Sequence, residues 1–121
     1  MPNPGAFIKS FRAEAAIPGR RIVKFGAAGG IALAAAATDR AIGIADQLDA
    51  TEGQMADVIM SGSAEVQLGA TVAAGAPIAP DASGLGITAV AGAGNVAIGY
   101  ALQSGDAGDI IDVALARHSV T

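Results

Sequence analysis

The chain nearly repeats itself, and the positions that repeat are glycines and aliphatic residues. Ala41-Ile42-Gly43-Ile44-Ala45-Asp46-Gln47 returns as Ala97-Ile98-Gly99-Tyr100-Ala101-Leu102-Gln103, an offset of 56 residues. The same offset pairs Gly19 with Gly75, Ile22 with Ile78, Gly30 with Gly86 and Ile31 with Ile87. Further on, the offset drops to 55, matching Gly53 with Gly108, Met55 with Ile110 and Asp57-Val58 with Asp112-Val113. Such positions build strand centres and turns. They are not the nucleophiles, bases or metal ligands that build active sites, so the repeat points to a structural protein made of two similar halves.

A length of 121 residues fits one domain, or two small halves sharing a core. Hydrophobic residues make up 52% of the chain but aromatics only 3%. Much of the apolar content is alanine, which buries little area, so the monomer has few large anchors. A thin core of this kind gains stability from partner subunits, and a homo-oligomer is expected. With no cysteine, disulfides and thiolate metal sites are excluded. The single histidine, His118, rules out a two-histidine metal pair. The longest apolar run, from Gly26 to Ala37, is too short to cross a bilayer as a helix and holds three glycines. The opening Met1-Pro2-Asn3-Pro4-Gly5 lacks a basic segment followed by a long apolar one, so a soluble protein without a secretion signal or a membrane partner is expected.

Seventeen glycines recur every few residues, and each would cost roughly 1 kcal/mol inside a helix. Ala32–Asp39 alone has room for a helical turn. Elsewhere short apolar runs alternate with glycine, proline and Asp/Ser turns. Examples are Arg20–Phe25, Ala41–Ala45, Ala56–Met60, the strictly alternating Ala64–Leu68, Val96–Leu102 and Ile110–Ala116. This pattern predicts an all-β chain, a small barrel or sandwich built from two similar halves, 16–62 and 63–121. Residues 1–15 read as an extended N-terminal arm outside the repeat.

The net charge of −4 is unevenly spread. Lys9, Arg12, Arg20, Arg21 and Lys24 face only Glu14 within residues 1–24, giving that segment +4, while the remainder carries −8. A basic segment carrying Phe7, Ile8 and Phe11 suits docking on another surface. The candidate docking residues are therefore Phe7, Ile8, Lys9, Phe11 and Arg12, with Arg20 and Arg21 behind them. Five basic residues without interleaved aromatic platforms, beside an acidic body, make a poor nucleic-acid footprint.

No catalytic constellation emerges. Gly84-Leu85-Gly86-Ile87-Thr88-Ala89 and Gly92-Ala93-Gly94-Asn95-Val96-Ala97 both fit a loose dinucleotide fingerprint, yet neither has a strand before it and a helix after it. Gly26-Ala27-Ala28-Gly29-Gly30 is not followed by the Gly-Lys-Ser/Thr of a phosphate loop. Ser61 or Ser63 with His118, oriented by Asp57 or Asp112, is the only start for a nucleophile–base pair; the serines lie at a turn and the histidine near the C-terminus. Asp106, Asp109 and Asp112 lack the spacing and closing glutamate of a calcium loop. Catalytic, cofactor and metal sites are all expected to be absent.

Taken in order, Pro18-Gly19-Arg20, Ile31, Ala41–Ala45, Glu52-Gly53 and Val58-Ile59-Met60-Ser61-Gly62 resemble the first half of a tailed-bacteriophage capsid decoration (head cement) protein. Gly69-Ala70, Gly75-Ala76-Pro77-Ile78, Ala97–Ala101, Gly105 to Gly108 and Ile111–Leu115 are similar to that family's later elements, so the resemblance spans roughly residues 16–117. It implies a β-rich virion structural protein on the outer surface of the capsid, made in the host bacterial cytoplasm. The implied partners are the major capsid protein and the chain itself, as a trimer in preference to a dimer. The alternative function is a tail- or fibre-associated β-domain that binds the host.

Overall fold

The computed structural model describes residues 6–120. Ten strands are present and, among the described residues, no helix; Ala32–Asp39 is the end of a strand and a turn. In chain order the strands are β1 (Phe7–Arg12), β2 (Ile22–Phe25), β3 (Ile31–Leu33), β4 (Ala41–Ala45) and β5 (Met55–Ser61). They are followed by β6 (Ser63–Gln67), β7 (Pro77–Pro80), β8 (Gly86–Thr88), β9 (Val96–Ala101) and β10 (Ile110–Ser119). The first five form one antiparallel sheet, ordered β1-β5-β4-β2-β3. The last five form a second, ordered β6-β10-β9-β7-β8. Adding five to each strand number converts one order into the other, so the halves share a topology. Neither sheet closes into a barrel; the arrangement is a sandwich-like pair of sheets. The chain crosses between them on one residue, Gly62, which has a φ of 86°.

The segment expected as an arm enters this scheme. Residues 1–5 lie outside the described residues, and residues 7–12 are β1, an edge strand. Ser10 pairs with Asp57 and Arg12 with Met55, just as Glu65 pairs with Asp112 and Gln67 with Ile110. β1 is therefore the counterpart of β6, and the repeat begins before residue 16. The strand was hidden because only Phe11 and Val66, among the equivalent residues, are both large and apolar.

Strand pairing also corrects the spacing. Val23 faces Leu33 as Ile78 faces Thr88, which sets an offset of 55 for β2/β7 and β3/β8. Only β4/β9 stand 56 apart: Ala45 faces Val58, and Ala101 faces Val113. The connection before β9 is one residue longer than its mate, and the connection after β9 is one residue shorter. The conserved Gly of the repeated heptapeptide has a steric cause, because a Cβ on Gly43 would strike the Ile59 carbonyl and one on Gly99 the Ala114 carbonyl. With the offset set at 55, Gly75 is the mate of Arg20, not of Gly19. Both hold a left-handed backbone, at φ 84° and 61°, a conformation open to glycine and costly for arginine.

The β2–β3 and β7–β8 turns show the same position solved in mirrored ways. In the first half the Glu14 carboxylate accepts the N–H groups of Ala28, at 3.1 Å, and Gly30, at 2.6 Å. In the second, Asp81 accepts those of Ser83 at 2.8 Å and Leu85 at 3.0 Å. Glu14 has Gly69 as its mate, and Asp81 has Gly26. A Cβ on Gly26 would run into the Glu14 carboxylate, and one on Gly69 into that of Asp81. Each turn thus takes one carboxylate and one glycine, exchanged between two positions.

The core is aliphatic, its largest fully buried members being Ile17, Ile22, Ile31, Ile44, Leu68, Ile78, Ile98 and Ile111, and it divides unequally. One cluster, including Ala13, Ile17, Val23, Ile31, Ile42 and Val58, draws only on the first half. The other unites second-half residues such as Val66, Leu68, Ile78, Ile98 and Val113 with Ile22, Ile44 and Ile59 of the first half. Hydrogen bonds lock this joint. Gln67 N–H donates to the Arg20 carbonyl at 2.9 Å, and Ile22 N–H to the Gly84 carbonyl at 2.8 Å. The Arg21 guanidinium donates to the Ser83 carbonyl at 2.9 Å.

Candidate functional site

The residues expected to dock on a partner separate into two groups. Arg20 and Arg21 serve the joint between halves. Arg20 pairs with Glu65 at 3.1 Å, and Arg21 holds the β7–β8 turn. The β1 residues are presented outward: Lys9 and Arg12 are exposed, as are Phe7 at 55% and Ile8 at 47%. Phe11 turns partly inward against the first-half core and meets Phe25 edge to face, with ring centroids 5.6 Å apart and planes at 78°.

β1 is fixed in place by its partner strand. Besides the ladder, Ser10 Oγ donates to Asp57 Oδ1 at 2.5 Å, and Phe7 N–H donates to Ser61 Oγ at 3.1 Å. At its end, Arg12 lines an open cleft with Ala13, Glu14, Ala28, Gly30 and Glu52. Sequence reasoning missed two neighbours of this surface. Phe25 is 54% exposed and Met55, opposite Arg12, is 64% exposed. Phe25 closes a strand-like run and Met55 is a repeat mate of Ile110, and only a strand's outward parity distinguishes them from core residues. Lysine and arginine on an edge strand discourage strand-on-strand pairing. That role does not account for exposed Phe7 and Ile8 beside them.

Three of the groups weighed for catalysis have partners of their own. Asp57 holds Ser10, and Ser61 holds the Phe7 N–H. His118 lies stacked on Tyr100, with centroids 4.8 Å apart and planes at 14°, and its Nδ1 is 2.7 Å from the Ala116 carbonyl. Among the described residues, no group of three His, Cys, Asp or Glu side chains is placed to hold a metal ion. No helix of the described residues is long and apolar enough to cross a membrane. One carboxylate is electrostatically distinct. Asp39 accepts the N–H groups of Ala35 and Ala36 and pairs with Lys24 at 3.2 Å. The Ala35 hydrogen bond leads in lowering its pKa; burial opposes the shift, while Lys24 and Ala36 add to it. This group braces the β3–β4 turn and lies apart from β1 in sequence.

Comparison with known proteins supplies the context for this surface. Among solved structures, the chain is similar to the head fiber gp8.5 N base of bacteriophage phi29, with a TM-score of 0.72 and 16% identity. The match covers 92% of this chain and 94% of that one, and shows a shared fold. No curated protein matches. A family model described as phage cement protein matches residues 3–117. The chain thus belongs to the phage cement protein family, and is a capsid-associated structural protein of a bacteriophage virion.

Proposed function

We propose that this protein binds the outer surface of the phage head across neighbouring major capsid subunits and stabilises the shell against the pressure of packaged DNA. It is made in the host cytoplasm and acts without catalysis or cofactor. The observation that carries this reading is β1, where Phe7, Ile8, Lys9 and Arg12 stand exposed on a strand anchored to β5. Lys9 and Arg12 steer the approach to an acidic patch on the capsid, and Phe7 and Ile8 supply the apolar contact. Phe11 supports them from behind. Self-association, as a trimer in preference to a dimer, repeats this small contact on one particle and raises its avidity.

The test uses undecorated heads and purified protein. Wild-type protein is expected to saturate the heads and to raise the temperature at which they release DNA. Lys9→Glu/Arg12→Glu protein is expected to remain folded, to bind at least tenfold more weakly and to leave the release temperature near that of bare heads. Wild-type occupancy by that variant would overturn the assignment of β1 as the docking element.

A further inference from the structure

Building on the capsid binding proposed above, we infer that Arg40 and Arg117 form a second contact with the shell, a basic pole that takes an acidic segment of the major capsid protein. Beyond Lys24 the chain has no other lysine or arginine, and His118 is its single histidine. The fold gathers these residues at one place. Arg117 Nη1 donates to the Ala41 carbonyl at 3.3 Å and to that of Ile42 at 3.4 Å, so the side chain reaches from β10 across to β4. Arg40 immediately precedes Ala41, Lys24 faces Ala41 across the β2–β4 pairing, and His118 follows Arg117.

Carboxylates are scarce here. Asp39 adjoins Arg40, but it is committed to Lys24 and to the Ala35 and Ala36 N–H groups. The β8–β9 connection packs on the same turn, with the Val96 N–H donating to the Ala37 carbonyl at 2.9 Å, and residues 82–105 carry no charged side chain. Arg40 and Arg117 are both exposed, and the ion pairs of the described residues involve Arg20 and Lys24 instead. Acids gather at the other end of the strands. There the Asp46 N–H donates to the Asp57 carbonyl, the Leu102 N–H donates to the Asp112 carbonyl, Glu65 faces Asp112, and Gln47 donates to Glu65 at 3.4 Å. At about 3.4 Å per residue, Arg40 and Asp46 stand roughly 20 Å apart along β4. That exceeds the Debye length of about 8 Å at physiological salt, so the acidic end does little to cancel the field of the pole.

A protein segment fits this pole better than a nucleic acid does. Guanidinium groups match carboxylates as paired donors, and the Arg117 bonds to Ala41 and Ile42 use Nη1 alone. The pole also continues into β1 through Gly62. The Leu115 N–H donates to the Gly62 carbonyl at 2.8 Å, and a Cβ on Gly62 would stand 3.0 Å from the Ala6 Cα. Exposed Phe7 and Ile8 follow Ala6, so apolar side chains border the two arginines. Arginine beside such anchors is the make-up of a protein contact. A few neutralised phosphates hold nucleic acid only weakly at physiological salt.

Binding to undecorated heads at physiological salt tests the pole, with circular dichroism to check that each variant is folded. Arg40→Glu is expected to bind at least tenfold more weakly than wild type, and the milder Arg40→Gln about threefold. Asp112→Lys changes the net charge by as much as Arg40→Glu does, but at the acidic end, and is expected to bind within about twofold of wild type. Near-wild-type binding by Arg40→Glu, or an Asp112→Lys effect as large as that of Arg40→Glu, would overturn the inference. So would wild-type binding to a short DNA duplex that Arg40→Glu abolishes, since the pole would then take phosphates. A wild type that fails to bind heads overturns the capsid assignment and this contact with it. Weak binding by Lys9→Glu/Arg12→Glu protein beside full binding by Arg40→Glu overturns this contact alone.

Discussion

At the scale of single residues, the exchange of Glu14 and Gly26 for Gly69 and Asp81 is a natural double substitution. It makes a quantitative expectation possible. Glu14→Gly removes the acceptor of the Ala28 and Gly30 N–H groups and should cost about 1–2 kcal/mol. Gly26→Asp alone should also destabilise, since its side chain enters the space of the Glu14 carboxylate. The double variant reproduces the second half's solution and should recover most of the loss. Urea unfolding of the four proteins measures the coupling, and simple additivity would contradict the shared turn. Asp39 gives a second expectation. Its folded pKa is lowered, first by the Ala35 N–H, so its contribution is present above the ordinary aspartate range and is lost as pH falls through the folded value. Asp39→Asn should cost about 1 kcal/mol at neutral pH, and the difference should vanish in acid. The second half has Asn95 at this place. Its N–H bonds the Gly92 carbonyl as that of Asp39 bonds the Ala36 carbonyl.

At the scale of elements, β1 decides how the function is approached experimentally. Deleting residues 1–12 removes an edge strand of the first sheet, and with it Phe11, which packs on the first-half core. The deletion should therefore lower the thermal midpoint, whereas Lys9→Glu/Arg12→Glu should leave it within about 2 °C, as surface changes do. A melting curve separates the two. The sequence made β4 and β9 plain, because Gly43 and Gly99 are forced by backbone approach and preserve the heptapeptide. It concealed β1, since Ile8, Lys9, Ser10 and Arg12 share no chemistry with Ser63, Ala64, Glu65 and Gln67. It also placed the early glycine matches one residue out of register. Identity in one strand pair, the only one 56 apart, had set the spacing for its neighbours. The apolar and basic character of the proposed docking surface was legible, because it depends on residue type. Which of those side chains face outward was not, because that depends on pairing with a strand more than forty residues away.

At the scale of the molecule, two like halves have been made unlike by what each must cover. Ile44, sealed in the joint, should cost about 2–5 kcal/mol on replacement by alanine. Its mate Tyr100, exposed, should cost the monomer under about 1 kcal/mol on the same change. Thermal unfolding of the two variants at low concentration compares them directly. The proposed function joins these parts in one scheme, in which the two sheets build the support and β1 is the strand proposed to meet the shell. Cryo-electron microscopy of heads decorated with this protein tests that scheme most directly. The expected map places β1 against the capsid surface, with Phe7, Ile8, Lys9 and Arg12 at the contact, and shows no decoration when Lys9→Glu/Arg12→Glu protein is supplied. A map in which β1 faces solvent while another element touches the shell would contradict it.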